Sequence, residues 1–159
     1  MFNQNLIKEH LEGHGIHYKL WPDFYDENLT THFKTAAKTV LLKIDEQYAI
    51  VVISSNEHID LARMKSILKA RSIEIASEQE CEALFPDCDT TALPALGSLA
   101  DIPVYCSQKV LADKEVCFNP GTHDKIVKVP VEEFIRLEKP TTGNFTISGY
   151  YETEYDYVY

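Results

Sequence analysis

The sequence predicts a mixed α/β domain of the α+β kind, and three observations carry that expectation. Apolar residues keep helical spacing near both ends, with Leu6, Ile7 and Leu11 early and Phe134 and Ile135 late. Between them lie two β-rich apolar runs, 39–44 and 48–53, whose continuous apolarity is that of central strands covered on both faces. Helical and extended signals alternate along a chain of 159 residues, 45% hydrophobic and 25% charged, a size that suits one core.

Taken in order, an amphipathic helix is expected over 3–12, capped by Asn3 or Asn5 and stopped by Gly13 and Gly15. A strand follows over 16–21, ended by Pro22, which has no amide proton to donate. The polar stretch 23–31 reads as loop. The runs 39–44 and 48–53 flank Asp45, Glu46 and Gln47 and read as a hairpin. A helix over 60–70 would turn Leu61, Met64, Ile67 and Leu68 inward, and 73–76 reads as a short strand. Ser77 and Glu80 have capping-box spacing and start a helix through Cys81, Leu84 and Phe85 to Pro86.

The stretch 87–101 has no periodicity but holds Pro94 and Gly97, so it reads as an ordered loop, longer than most connections in compact domains. Such loops are disproportionately functional. Strands are expected over 103–106, 115–119 and 125–129, with Gly121 and Thr122 turning the last two, and a closing helix over 131–137 with Phe134 and Ile135 inward. The domain is drawn at 1–140. The remaining 141–159, TTGNFTISGYYETEYDYVY, is an aromatic and acidic C-terminal tail, expected to pack as a terminal strand or fray, with partner binding as its other reading.

The formal charge of −10 opposes broad binding to nucleic-acid backbones and argues against DNA as a partner. A few lysines in a cleft can still hold one nucleic-acid end. Cys81, Cys88, Cys106 and Cys117 form no CxxC pair and no zinc-finger spacing, and the six histidines form no HExxH pattern, so neither metal nor cofactor is expected. The N-terminus lacks a basic stretch followed by an apolar run, and no apolar segment reaches the ~18 residues of a membrane span. These features suggest a reducing, cytoplasmic setting with no membrane.

Three places could carry chemistry. Lys38 stands at the entrance of an apolar strand, where an ammonium can bind phosphate or polarise a carbonyl. The loop around CDTTALPALGS combines a stiffening Pro94 with a turning Gly97, and its amides are candidate oxyanion donors. Gly121-Thr122-His123 sits between strands, where glycine permits close approach and histidine can exchange protons near neutral pH. Cys88 lies in the long loop without a base paired to it in sequence.

In this order, AKTVLLK (37–43), LFPDCDTTALPALG (84–97) and FNPGTHDKIVKVPVEEFIRL (118–137) resemble the YbaK/EbsC family, whose freestanding members are aminoacyl-tRNA deacylases and whose relative is the editing insertion of bacterial prolyl-tRNA synthetase. The resemblance covers about 1–139. It implies a mixed, strongly curved β-sheet flanked by helices, and hydrolysis of mischarged aminoacyl-tRNA without metal or protein nucleophile. It implies that Lys38 meets the terminal phosphate or the developing negative charge, followed by Thr39. The family's glycine-containing loop falls on Thr91, Ala92, Leu93, Pro94, Ala95, Leu96 and Gly97, with amides near Ala92 for the carbonyl oxygen. Gly121 would admit the aminoacyl group, with Thr122 and His123 shaping its pocket. The implied partner is the acceptor end of mischarged tRNA, with a synthetase or another protein as a further one.

This chain departs from the family loop, with Thr91 where a glycine is usual and Ala95 where a proline is usual, which predicts a weaker oxyanion site. That departure supports the alternative reading, a non-catalytic module that holds a tRNA end or an aminoacyl ligand.

Overall fold

In the computed structural model, which describes residues 4–22, 36–148 and 157–158, the chain opens with α1 (Gln4–Gly13), which buries Ile7 and Leu11 and leaves Leu6 half exposed. Gly15 at φ +68° turns the chain out of the helix, a conformation glycine adopts without a Cβ penalty. β1 (Lys19–Pro22) begins three residues later than expected. The loop expected over 23–31 lies outside the described residues.

The hairpin is formed by β2 (Lys38–Ile44) and β3 (Gln47–Ile53), and its turn is two residues long because Gln47 pairs with Ile44. Asp45 and Glu46 both take positive φ, 48° and 69°, as a turn matched to strand twist requires. Asp45 holds the strained turn in place, its carboxylate accepting the Arg71 and Ser72 amides at 2.7 and 2.9 Å. β4 (Glu57–Asp60), α2 (Leu61–Leu68), β5 (Ile73–Ile75) and α3 (Glu78–Leu84) follow. A 3₁₀ turn at Gly97–Leu99 then leads to β6 (Val104–Cys106), α4 (Gln108–Leu111), β7 (Glu115–Phe118), β8 (Lys125–Pro130) and α5 (Val131–Glu138). β9 (Thr141–Thr142), β10 (Thr146–Ser148) and β11 (Tyr157–Val158) complete the order.

The fold is the expected mixture of helices and sheets, with its described strands in three sheets. The five-stranded sheet runs β5-β2-β3-β6-β9, antiparallel around β2 and parallel from β3 to β9. β1-β8-β7 and β10-β4-β11 form the others, both antiparallel. The Ala37 amide donates to Cys117 O at 2.7 Å beside a parallel bridge from Ala37 to Phe118, which anchors the start of β2 to β7.

Side-chain alternation along β2 and β3 makes two cores, as a strand with apolar residues on both faces must. Leu41, Ile50 and Val52 pack on one side with α1, Phe85, Leu93, Phe118 and Phe134. Val40, Leu42, Val51 and Ile53 pack on the other with Ile59, Met64 and Phe145. Phe145 is 1% exposed, so residues 141–148 contribute both a core side chain and strands paired to β6 and β4. Two expected core residues differ: Ile67 and Ile135 are 46% and 43% exposed. Ile135 follows the fully buried Phe134 and is rotated by about 100° from it around a short helix with one covered side.

Candidate functional site

A cavity of about 370 Å³ opens where β2 outruns its neighbour, within the size range of small-ligand sites. β5 pairs only with Leu42, Lys43 and Ile44, and the Ala76 amide adds one bond to Leu41 O at 3.0 Å. Beyond that point the wall is made by the β5–α3 connection and the 87–97 loop. Lys38, Thr39, Leu41, Ala76, Thr91 and Leu93 are among the lining residues. Lys38 is half-buried at the first position of β2, paired across the hairpin with Ile53. Thr39 is buried at 9% exposure, and its Oγ1 makes no hydrogen bond. A buried hydroxyl without a partner costs about 1–3 kcal/mol.

The second wall is built by docking two loops. The Asp89 amide donates to Gly121 O at 2.9 Å, and the Gly121 amide donates to Ala92 O at 2.8 Å. Gly121 takes φ +98°, a left-handed backbone that favours glycine, so its first service is to this docking. Side chains reinforce the junction: Thr91 Oγ1 lies 2.6 Å from His123 Nε2 and 2.7 Å from Asp89 Oδ1, while Asp89 Oδ1 also accepts the Thr91 amide at 2.9 Å. Those two bonds from Thr91 hold the Asp89 carboxyl below the usual carboxylate range, with a smaller contribution from His123. Thr122 turns away to its own turn, its hydroxyl donating to Asp124 at 2.6 Å.

Lys38, Thr39 and Thr91 therefore line one cavity, and His123, which is not a lining residue, contacts Thr91. Ala92, Pro94, Ala95 and Gly97 stand behind the wall: all are buried and none is a lining residue of the cavity. The Ala92 amide is spent on Asp89 O at 2.9 Å and the Thr91 amide on the Asp89 carboxylate, so neither of these two amides near Ala92 is open to a carbonyl oxygen. Gly97 is required for packing, since a Cβ there would meet Ile102 O at 2.5 Å and Val104 Cγ2 at 2.6 Å. Thr91 is also not among the residues with positive φ, so replacing glycine there imposes no left-handed strain.

Sequence reasoning missed Asp89, although the Asp-x-Thr spacing of an Asx-type turn was there to be read. It also missed Ala76, Glu78 and Cys81, which line the cavity from an element distant in sequence. Burial pushes the Cys88 thiol up to about 11 and the Cys106 thiol up to about 12, leaving neither as a thiolate near neutral pH. None of the four cysteines is in a disulfide. Among the described residues, no group of three or more His, Cys, Asp or Glu could hold a metal ion, and no helix is long and apolar enough to cross a membrane.

The chain is similar over 80 residues, at 26% identity, to a proline–tRNA ligase of Bacillus cytotoxicus, a match covering 50% of this chain and 14% of the ligase. A proline–tRNA ligase of Streptococcus pyogenes serotype M5 is 29% identical over 79 residues, 50% of this chain and 12% of that one. This chain thus spans a small part of the length of those relatives. Among solved structures, a candidate trans-editing enzyme for prolyl-tRNA synthetase superposes with a TM-score of 0.74 at 15% identity, covering 91% of this chain and 96% of its own. A protein from Marinobacter aquaeolei VT8, described as a candidate signal transduction protein, gives 0.73 at 19% identity over 91% of this chain and 31% of its own. Both likenesses are of fold. The family model of the aminoacyl-tRNA editing domain matches residues 25–137, a span that takes in the β2 entrance, the 87–97 loop and the Gly121–His123 turn, and the chain belongs to that family.

Proposed function

We propose that this protein is a hydrolase that deacylates mischarged tRNA in trans, with the 3′-terminal aminoacyl ester entering the cavity beside Lys38. The observation that carries the reading is a cavity of small-ligand size lined by Lys38 and by Thr91 and Leu93 of the 87–97 loop, within the span matched by the editing-domain family. An aminoacyl-adenosine end offers what that wall lacks, namely ribose hydroxyls, an ester carbonyl and a nearby phosphate. In hydrolysis, a water molecule, assisted by the neighbouring ribose hydroxyl, attacks the carbonyl carbon and gives up a proton. Negative charge then gathers on the former carbonyl oxygen, and the ester oxygen leaves with a proton as the tRNA hydroxyl. Lys38 supplies the positive charge, and Thr39 orients the bound group. An activated ester needs little beyond positioning and charge stabilisation, so a protein nucleophile is not required.

The pocket-wall roles of Thr91, Gly121, Thr122 and His123 belong to this reading, with Ala92, Pro94, Ala95 and Gly97 setting the course of the wall. The substrate places the protein where translation occurs, in the cytoplasm, and admits a synthetase as a partner. The test is release of amino acid from a panel of mischarged tRNAs. Turnover of at least one member that falls with Lys38→Ala supports the enzyme. Binding without release on every member would establish the non-catalytic module instead.

A further inference from the structure

The proton on one hydroxyl decides how the second wall works. Thr91 Oγ1 is within hydrogen-bond distance of both Asp89 Oδ1, at 2.7 Å, and His123 Nε2, at 2.6 Å, yet it has a single proton to give. If that proton went to the imidazole, two oxygen lone pairs would face each other at the Asp89 contact, one of them on an ionised carboxylate. Bonds to a charged acceptor are roughly twice as strong as neutral ones, so the hydroxyl donates to Asp89. The short contact to His123 is then satisfied only by an Nε2 that bears hydrogen. The second Asp89 oxygen, 3.8 Å from Nε2, favours the same arrangement by attraction.

We infer that Asp89 is a positioning residue: acting through the Thr91 hydroxyl, it fixes His123 in the Nε2-protonated form, leaving Nδ1 as the ring nitrogen able to accept a proton. Among the described residues Nδ1 of His123 has no hydrogen-bond partner, and the ring is half exposed. The Thr91 hydroxyl is committed as donor to Asp89 and as acceptor from His123, so it is not a nucleophile. The device depends on a side chain at position 91, and a glycine there could not make it. Its location deepens the deacylase reading, while its central claim about a proton can be tested without turnover.

The experiment is nitrogen-15 NMR of the His123 ring in the full chain, above the pH at which the ring is doubly protonated. The native protein is expected to show a protonated Nε2 and an unprotonated Nδ1. Asp89→Ala frees the Thr91 proton for Nε2 and is expected to shift the ring toward the Nδ1-protonated form. Asp89→Asn keeps an oxygen acceptor and is expected to restore the native form. Thr91→Val, which removes the hydroxyl and keeps the side-chain shape, is expected to lose the preference even if Asp89→Ala folds poorly. An Nδ1-protonated ring in the native protein, or an unchanged ring in both Asp89→Ala and Thr91→Val, overturns the inference. With a tRNA substrate, Asp89→Ala is expected to lower kcat and leave KM nearly unchanged. Native protein that releases no amino acid but shows the expected ring form would defeat the deacylase reading and leave the positioning of His123 standing.

Discussion

Thr39 is where stability and function pull apart most visibly. Its hydroxyl is buried against an apolar strand with no hydrogen bond, a state that costs the fold about 1–3 kcal/mol. Thr39→Val keeps the shape and removes the orphan, so it is expected to leave the protein as stable as the parent or more so while weakening deacylation. Thermal melting alongside amino-acid release checks this, and a variant that loses stability with activity unchanged would make Thr39 a structural residue. Lys38→Ala removes the one ammonium on the cavity wall among the lining residues and is expected to cost on the order of 100-fold in turnover with little change in melting. That Lys38, Thr39 and Thr91 share a cavity was legible only in part: Lys38 stood out at a strand entrance, whereas Thr39 and Thr91 were marked by the family resemblance alone. The packing need at Gly97 was not legible, because a glycine needed for packing and one needed for a ligand look alike until the neighbouring atoms are known. Gly97→Ala, which drives a Cβ into Ile102 O at 2.5 Å, is expected to destabilise by about 1–3 kcal/mol, and denaturant unfolding measures it.

Among the elements, α3 was readable almost atom by atom. Ser77 Oγ accepts the Glu80 amide at 3.1 Å and Glu80 accepts the Ser77 amide at 3.1 Å, closing the capping box its spacing announced. The Tyr48 hydroxyl donates to Glu80 and is the main cause, with the Ser77 amide next, of a carboxyl pulled down to about 2. A depressed folded value stabilises the protein above the ordinary carboxylate range and loses that effect as pH falls from 4.5 toward 2. Tyr48→Phe should therefore destabilise at neutral pH and approach the parent near pH 2, as unfolding curves across that range would show. Ser77→Ala is expected to cost about 1 kcal/mol by loss of the cap. The hairpin was equally legible, since two long apolar runs leave no other pairing so local. β4 and α4 were not, because four residues are too few to display either period, and both owe their form to Glu57 and Ser107. Buried Glu57 accepts from the Ser54 amide at 2.9 Å and from the Ser107 and Thr146 hydroxyls at 2.6 Å each, and Ser107 caps α4.

At the scale of the molecule, the first and last helices of the core are joined across the 3₁₀ turn by a chain of polar groups. Ser98 donates its amide to Glu138 of α5 at 3.0 Å and its hydroxyl to the other Glu138 oxygen, while His10 of α1 meets the same hydroxyl at 2.7 Å. The His14 ring lies against His10 with centroids 4.6 Å apart and the ring planes tilted by 54°. Burial pushes the Glu138 carboxyl up against the opposing pull of the Ser98 and Gly97 bonds and of His14, and burial then His14 push His10 down. The signs follow from which state holds the proton more tightly. Folded Glu138 holds its proton more tightly than the unfolded chain, so its favourable contribution is complete below 4.5 and is lost as pH rises through the raised value. Folded His10 holds its proton less tightly, so its contribution is present above 6.5 and is lost as pH falls through the lowered value. The clasp thus sets opposing slopes on a chain whose net charge of −10 already adds self-repulsion as carboxyls ionise. Glu138→Gln keeps a carbonyl for the Ser98 amide and removes the buried charge. Relative to the parent, its stability is expected to improve progressively as pH rises above 4.5, measured as the difference in unfolding free energy between acid and neutral pH. A constant deficit at every pH would mean that Glu138 acts through shape and hydrogen bonding alone, and that its charge is not what the fold tolerates to hold α1 and α5 together.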